Sequence, residues 1–173
     1  MTQNYFELFG LEPTFNLDLA ALENNYRKIQ SESHPDRFVT ASGAEKLQSM
    51  QTATLANEAY QTLKSPANRA KYLLELQGIN AIAETNTAMS AEFLMQQMEW
   101  REALEDAKTE NNINALESLL TDMRSEAKNL QLSLGDLVDT KKDYKAATET
   151  ARKLIFIDKV CADISKAIEQ IEN

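Results

Sequence analysis

Cysteine, histidine and tryptophan each occur once in this chain, proline three times and glycine four times. Each scarcity excludes something. A lone Cys161 cannot close an internal disulfide or build a cysteine-rich zinc site, and its isolation fits a reducing compartment such as a cytosol. Glycine-rich phosphate loops are absent, and a nucleophilic serine or cysteine has only His34 to serve as its base. The carboxylates are scattered without a paired-pocket signature and read as solvated helix faces. Positive charge is also short, with 18 Lys and Arg against 27 Asp and Glu, a formal net charge of −9. Such a field repels phosphate backbones and anionic lipid headgroups. No uninterrupted apolar run reaches membrane-spanning length, and the start MTQNYFELFG lacks the basic residues and apolar stretch of a signal peptide. The expectation is a soluble protein, not an enzyme, with no cofactor or metal, no nucleic acid and no membrane as partner.

What remains is a helical pattern. Apolar residues recur at three- and four-residue steps and strand-like alternation is missing, which predicts an all-α fold. NYFELFG predicts a short helix with Tyr5, Phe6 and Phe9 on one side and Gly10 as a left-handed exit. A second helix carries Leu19, Leu22, Tyr26 and Ile29 on one face, with Asp18 at its positive dipole end. It must stop before Pro35, because a proline drives the preceding residue, His34, out of the α region. Ser42 and Glu45 have capping-box spacing at the start of a third helix. Its expected buried side is Leu47, Met50, Leu55, Ala59 and Leu63. Ser65 as N-cap and Pro66 at the first helical position open a fourth helix running to about Leu76.

Periodicity then fades over residues 78–89, GINAIAETNTAM. That segment is expected to be a linker between one domain, residues 1–77, and another, residues 90–173. Helices in the second domain are expected to begin near Ser90, Asn112 and Thr140, with Gly135 marking a kink or an end. Short connections favour an antiparallel three-helix bundle.

The stretch SESHPDRFV places His34, Pro35 and Asp36 side by side. Read alone, Pro35 ends a helix, Asp36 bonds a backbone N–H, and His34 is incidental. An exposed acid–base pair is another reading, and it predicts turnover without any partner. The surroundings favour a third. NYFELFGL, YRK, HPD, NEAYQTL and SPANRAKYL follow one another in the order and approximate spacing of the J-domain family, which the chain resembles over residues 1 to about 77. That resemblance implies an antiparallel helical hairpin with short flanking helices, which stimulates ATP hydrolysis by a DnaK-class chaperone. It also implies chaperone contacts at His34, Pro35 and Asp36, assisted by Arg27 and Lys28. Two departures stand out: the family more often has an aromatic where Ser33 stands and lysine where Arg37 stands.

The second domain raises a separate question. At about 100° per residue, Phe93, Trp100, Leu104 and Ala107 share one arc of a helix, while Leu94, Met95 and Met98 share another that faces largely away. Phe156 is likewise displaced from the stripe of Leu154, Ile157, Cys161, Ile164 and Ile168. A three-helix bundle needs only one arc per helix. The remaining residues either pack against the first domain or form an apolar surface patch bordered by Glu99 and Glu102.

FLMQQMEWREAL and RKLIFIDKV, following a J-domain, resemble the HscB family of J-type co-chaperones in iron–sulfur cluster assembly. The resemblance implies that the second domain binds the scaffold protein IscU through Leu94, Met95, Met98, Glu99 and Phe156, and presents it to the DnaK-like chaperone HscA. Relatives more often carry leucine where Met98 stands, a change that keeps volume and apolarity. The zinc-binding N-terminal extension of some eukaryotic relatives is missing, which points to a bacterial, cytoplasmic protein. A J-domain co-chaperone with a different client is the alternative reading.

Overall fold

A computed structural model describes residues 3–83 and 89–173; the expected linker falls partly on residues 84–88, which lie outside the described residues. Among the described residues every regular element is helical, as the composition and periodicity predict. The chain divides into two compact units, Met1–Leu73 and Leu74–Asn173.

In the first unit, α1 (Tyr5–Leu8) is capped by Asn4, whose side chain accepts the Glu7 N–H at 2.8 Å. Gly10 follows at φ +65°, the left-handed conformation that lets the chain reverse without a Cβ penalty. α2 (Leu19–Glu32) begins on Asp18, whose carboxylate accepts the Ala21 N–H at 3.1 Å. α3 (Gly43–Lys64) begins on Ser42, whose hydroxyl accepts the Glu45 N–H at 3.2 Å. α1 and α2 both pack on α3, and Phe6, Phe9, Phe15, Leu22, Ala56, Ala59 and Leu63 are buried.

The buried face of α3 is not the one its large side chains suggest. Leu47, Met50 and Leu55 are exposed, and Ser49, Ala56, Ala59 and Leu63 are buried in their place. Small residues on the contact face let two helix backbones approach closely. The crossing is then filled by Tyr26 of α2 stacked on Tyr60 of α3, ring centroids 4.1 Å apart and 7° from parallel. On α2 Leu19 is exposed as well, and Leu22 carries the fully buried part of that face.

α4 (Pro66–Leu76) opens with the Ser65 hydroxyl accepting the Asn68 N–H at 3.3 Å. Tyr72 and Arg69 anchor it. Tyr72 stacks on Tyr5 at 4.5 Å and its hydroxyl accepts the Tyr5 N–H at 2.9 Å. Buried Arg69 donates to the Leu63 carbonyl at 2.7 Å and lies 4.8 Å from the Phe15 ring centre, so its charge is held by an aromatic face and a helix-end carbonyl.

The second unit holds α5 (Ala91–Thr109), α6 (Ile113–Gly135) and α7 (Tyr144–Glu172), with N-caps Ser90, Asn112 and Asp143. α6 and α7 form the most extensive pair and α5 packs on both. Between α5 and α6 the chain turns on Asn111 at φ +49°, a residue type that tolerates the left-handed region. Gly135 is where α6 ends, but the chain continues as a π-helical turn, Asp136–Thr140, before Lys142 at φ +52° reverses it. That turn uses up the residues near Thr140, so α7 starts later, at Tyr144. The α7 core stripe is Leu154, Ile157, Val160, Ile164 and Ala167, while Cys161 and Ile168 lie at its margin, half-buried.

Candidate functional site

The end of α2 sets up the first surface. Ser33 is only 6% exposed, and both its hydroxyl (2.7 Å) and its N–H (2.9 Å) donate to the Ile29 carbonyl, closing the helix. His34 then leaves at φ −63°, ψ 136°, the extended geometry that Pro35 imposes. Pro35–Phe38 forms a single 3-10 turn in which the Arg37 N–H donates to the His34 carbonyl at 3.0 Å.

His34 Nδ1 accepts the Asp36 N–H at 3.2 Å, which leaves Nε2 as the ring's own N–H donor. The His34 and Asp36 side chains are 59% and 89% exposed, with Nδ1 3.6 Å from Asp36 Oδ2. The tip therefore offers a hydrogen-bond donor and a carboxylate on a short, internally bonded turn. It lacks the water-excluded surroundings in which a His–Asp pair activates a nucleophile.

Arg27 and Lys28 are exposed on the same helix. Arg27 pairs with Glu23 at 2.7 Å, one turn back. A solvated pair of this spacing contributes only about 0.3–0.5 kcal/mol, so a partner's carboxylate can compete for the guanidinium.

The second surface is on α5. Leu94, Met95 and Met98 are 47%, 63% and 71% exposed, while Phe93, Leu104 and Ala107 of the same helix are buried. Glu99 is exposed beside them. Helical rotation thus separates a core arc from an uncovered one, as the spacing predicts.

Phe156 differs from that expectation. It is half-buried, and its ring contacts run to Phe93 (5.9 Å, 83°) and Trp100 (6.3 Å, 21°) rather than standing free beside the α5 arc. Phe93 in turn meets Trp100 edge-on at 6.1 Å. The displacement of Phe156 from the α7 stripe turns it toward α5, where it completes an aromatic trio. Two cations cover that trio, the Arg101 guanidinium 5.4 Å from the Phe156 ring centre and Lys153 Nζ 5.4 Å from that of Phe93. Sequence reasoning missed Trp100, Arg101 and Lys153 as members of this cluster. The signal for Trp100 was its seven-residue spacing from Phe93; the two cations fall on different helices, and only packing brings them together.

The lone thiol does not resemble a nucleophile. Burial pushes Cys161 up, the Asp158 carboxylate adds to that, and Arg124 offsets it only in part. Burial also raises the Asp158 carboxyl. Among the described residues no group of three or more His, Cys, Asp or Glu is placed to hold a metal ion, and no helix is long and apolar enough to cross a membrane.

Known proteins resemble this chain in sequence and in fold. Residues 89–165 match a family model described as the HSCB C-terminal oligomerisation domain. A curated relative from Paraburkholderia phymatum, named co-chaperone protein HscB homolog, is 49% identical over 173 residues, covering 100% of this chain and 98% of that one. Chaperone HscB from Vibrio cholerae has a similar structure, with a TM-score of 0.84 at 38% identity, covering 98% of this chain and 99% of that one. Human co-chaperone protein HscB superposes with a TM-score of 0.87 at 30% identity, covering 95% of this chain and 81% of that one.

Proposed function

This chain belongs to the HscB co-chaperone family, and from that membership we propose that it stimulates the ATPase of a DnaK-class chaperone, HscA, and delivers the iron–sulfur scaffold IscU to it. In this reading residues 1–77 are a J-domain whose His34, Pro35 and Asp36 engage the chaperone, with Arg27 and Lys28 assisting. Residues 78–89 are a linker. Residues 90–173 hold the scaffold through Leu94, Met95, Met98 and Glu99, with Phe156 acting from beneath.

One observation carries the proposal. An exposed, internally bonded turn and an exposed apolar arc occur in different compact units of one chain. Two surfaces of such different chemistry suit two different partners held at once. The turn presents its side chains at little ordering cost, and the arc offers methionines that adapt to a partner's contour. Bridging the two raises the local concentration of scaffold at the chaperone's peptide site. Hydrolysis belongs to the chaperone and the cluster to the scaffold, so the chain itself uses neither nucleotide nor metal. The setting is the bacterial cytoplasm.

Charge supports the direction of recruitment. The first unit is close to neutral, and nearly all of the net negative charge lies in the second. That field favours a scaffold whose docking face is basic.

Asp36→Asn is the sharpest test, because it keeps the shape of the tip and removes its charge. Single-turnover ATP hydrolysis by HscA should lose its stimulation, while IscU affinity measured by calorimetry stays unchanged. Undiminished stimulation refutes the role of the turn. Loss of stimulation without any IscU binding by the parent protein would point to a different client.

A further inference from the structure

Behind the turn lies a half-open cavity of about 330 Å³, lined by Leu8, Ile29, Ser33, Phe38, Ser49 and Thr52 with Glu32, Glu45 and Gln48 among its walls. It backs onto both ends of the His34–Pro35–Asp36 segment, through Ser33 before it and Phe38 after it. Its size lies at the lower end of the range for small-molecule sites.

The chemistry of the walls specifies an occupant. Leu8, Ile29 and Phe38 supply apolar surface. Two wall hydroxyls are already spent on their own helices, Ser33 donating to the Ile29 carbonyl at 2.7 Å and Ser49 to the Lys46 carbonyl at 2.8 Å. Their protons are therefore committed, and each oxygen keeps only acceptor capacity. Glu32 and Glu45 are exposed, and neither is in an ion pair among the described residues. An apolar floor with two unneutralised carboxylates suits a compact aromatic ring carrying a positive charge.

We propose that this cavity is a binding site for small arylalkyl-ammonium groups, and that an occupant braces the turn from behind. It stands apart from the partner assignments above, since the bound group touches neither the α5 arc nor the exposed faces of His34 and Asp36. A ligand of eight or so heavy atoms should bind at roughly millimolar Kd. Solvent-screened attraction to two carboxylates should favour a cation over a neutral isostere by about fivefold at low salt.

The experiment titrates the full isotope-labelled chain with benzylamine, benzyl alcohol and benzoate, followed by amide NMR. Benzylamine is expected to shift Ile29, Ser33, Phe38 and Thr52 at millimolar concentration, benzyl alcohol to do so more weakly, and benzoate not at all. It should also slow hydrogen exchange at the Arg37 N–H. The exposed pair Glu32→Gln and Glu45→Gln should bring the amine down to the affinity of the alcohol without disturbing the fold. Ser33→Phe, which fills the space from within, should abolish binding of both. Absence of shifts at these four residues, equal binding of benzoate, a cation preference that survives the double glutamine variant, or unchanged Arg37 exchange at saturation overturns the proposal.

Discussion

Changing Leu94 and Met98 together to alanine separates a docking surface from a structural one. Full burial of such a side chain stabilises by about 1.5–3 kcal/mol. With 47% of Leu94 and 71% of Met98 still exposed in the free protein, about half of that term for the first and more than two-thirds for the second is left to be gained on docking. Together they should contribute roughly 2–3 kcal/mol to scaffold binding, which is a loss of about 30-fold to 150-fold in affinity. Calorimetry with IscU measures it directly. The fold should barely notice, because exposed side chains have few native contacts to lose; Tm should fall by no more than about 4 °C. Chaperone stimulation in the absence of scaffold should be unaltered, since the turn lies in the other unit. An affinity change below about threefold refutes the docking role. A fall in Tm of about 8 °C or more would show instead that the two residues hold the bundle together.

Phe156→Ala should behave differently, losing stability as well as affinity, because the ring is stacked on Trp100 and meets Phe93 edge-on; about 2 kcal/mol, roughly half the loss of a fully buried aromatic, should appear in urea unfolding. Burial holds the Asp158 carboxyl above its ordinary value, so ionising it costs stability, a cost absent below the unfolded carboxylate pKa and growing as pH rises through the folded one. Asp158→Asn should accordingly raise Tm at about pH 7 and lose that advantage by about pH 3, whereas a gain independent of pH would contradict the assignment to charge. Gly10→Ala meets no atom within 4 Å, so its cost is conformational alone, about 1 kcal/mol for a residue held at φ +65°, measurable by thermal unfolding of the first unit.

Where boundaries depend on local chemistry, the sequence was a good guide. Asp18, Ser42, Ser65, Ser90 and Asn112 accept backbone N–H groups at helix starts because the donor lies only three residues away. The exit of His34 from the helix needed nothing but the proline ring that follows it. Faces were harder. Leu47, Met50 and Leu55 looked like a buried stripe because they are large and apolar, yet α3 buries Ser49, Ala56, Ala59 and Leu63, and periodicity rewards bulk rather than closeness. On α5 the same rule worked, since two arcs of comparable hydrophobicity cannot both face one core. Phe156 illustrates the remaining limit: its displacement from the α7 stripe was legible, but whether the displaced ring meets solvent or another helix depends on Phe93 and Trp100, more than fifty residues earlier. The cavity behind the turn had no sequence signal beyond the small Ser33, because it is bounded by three separate helices and a turn.

The placement of Trp100 gives the molecule a built-in optical probe. It is the sole tryptophan, seated in the second unit against Phe156, while four of the five tyrosines, Tyr5, Tyr26, Tyr60 and Tyr72, belong to the first. Selective indole excitation therefore reports on one half of the chain and phenol absorbance mostly on the other. Melting of the halves can be followed independently in a single unlabelled sample, and any rearrangement of the trio when a ligand reaches α5 should register as a change in indole emission.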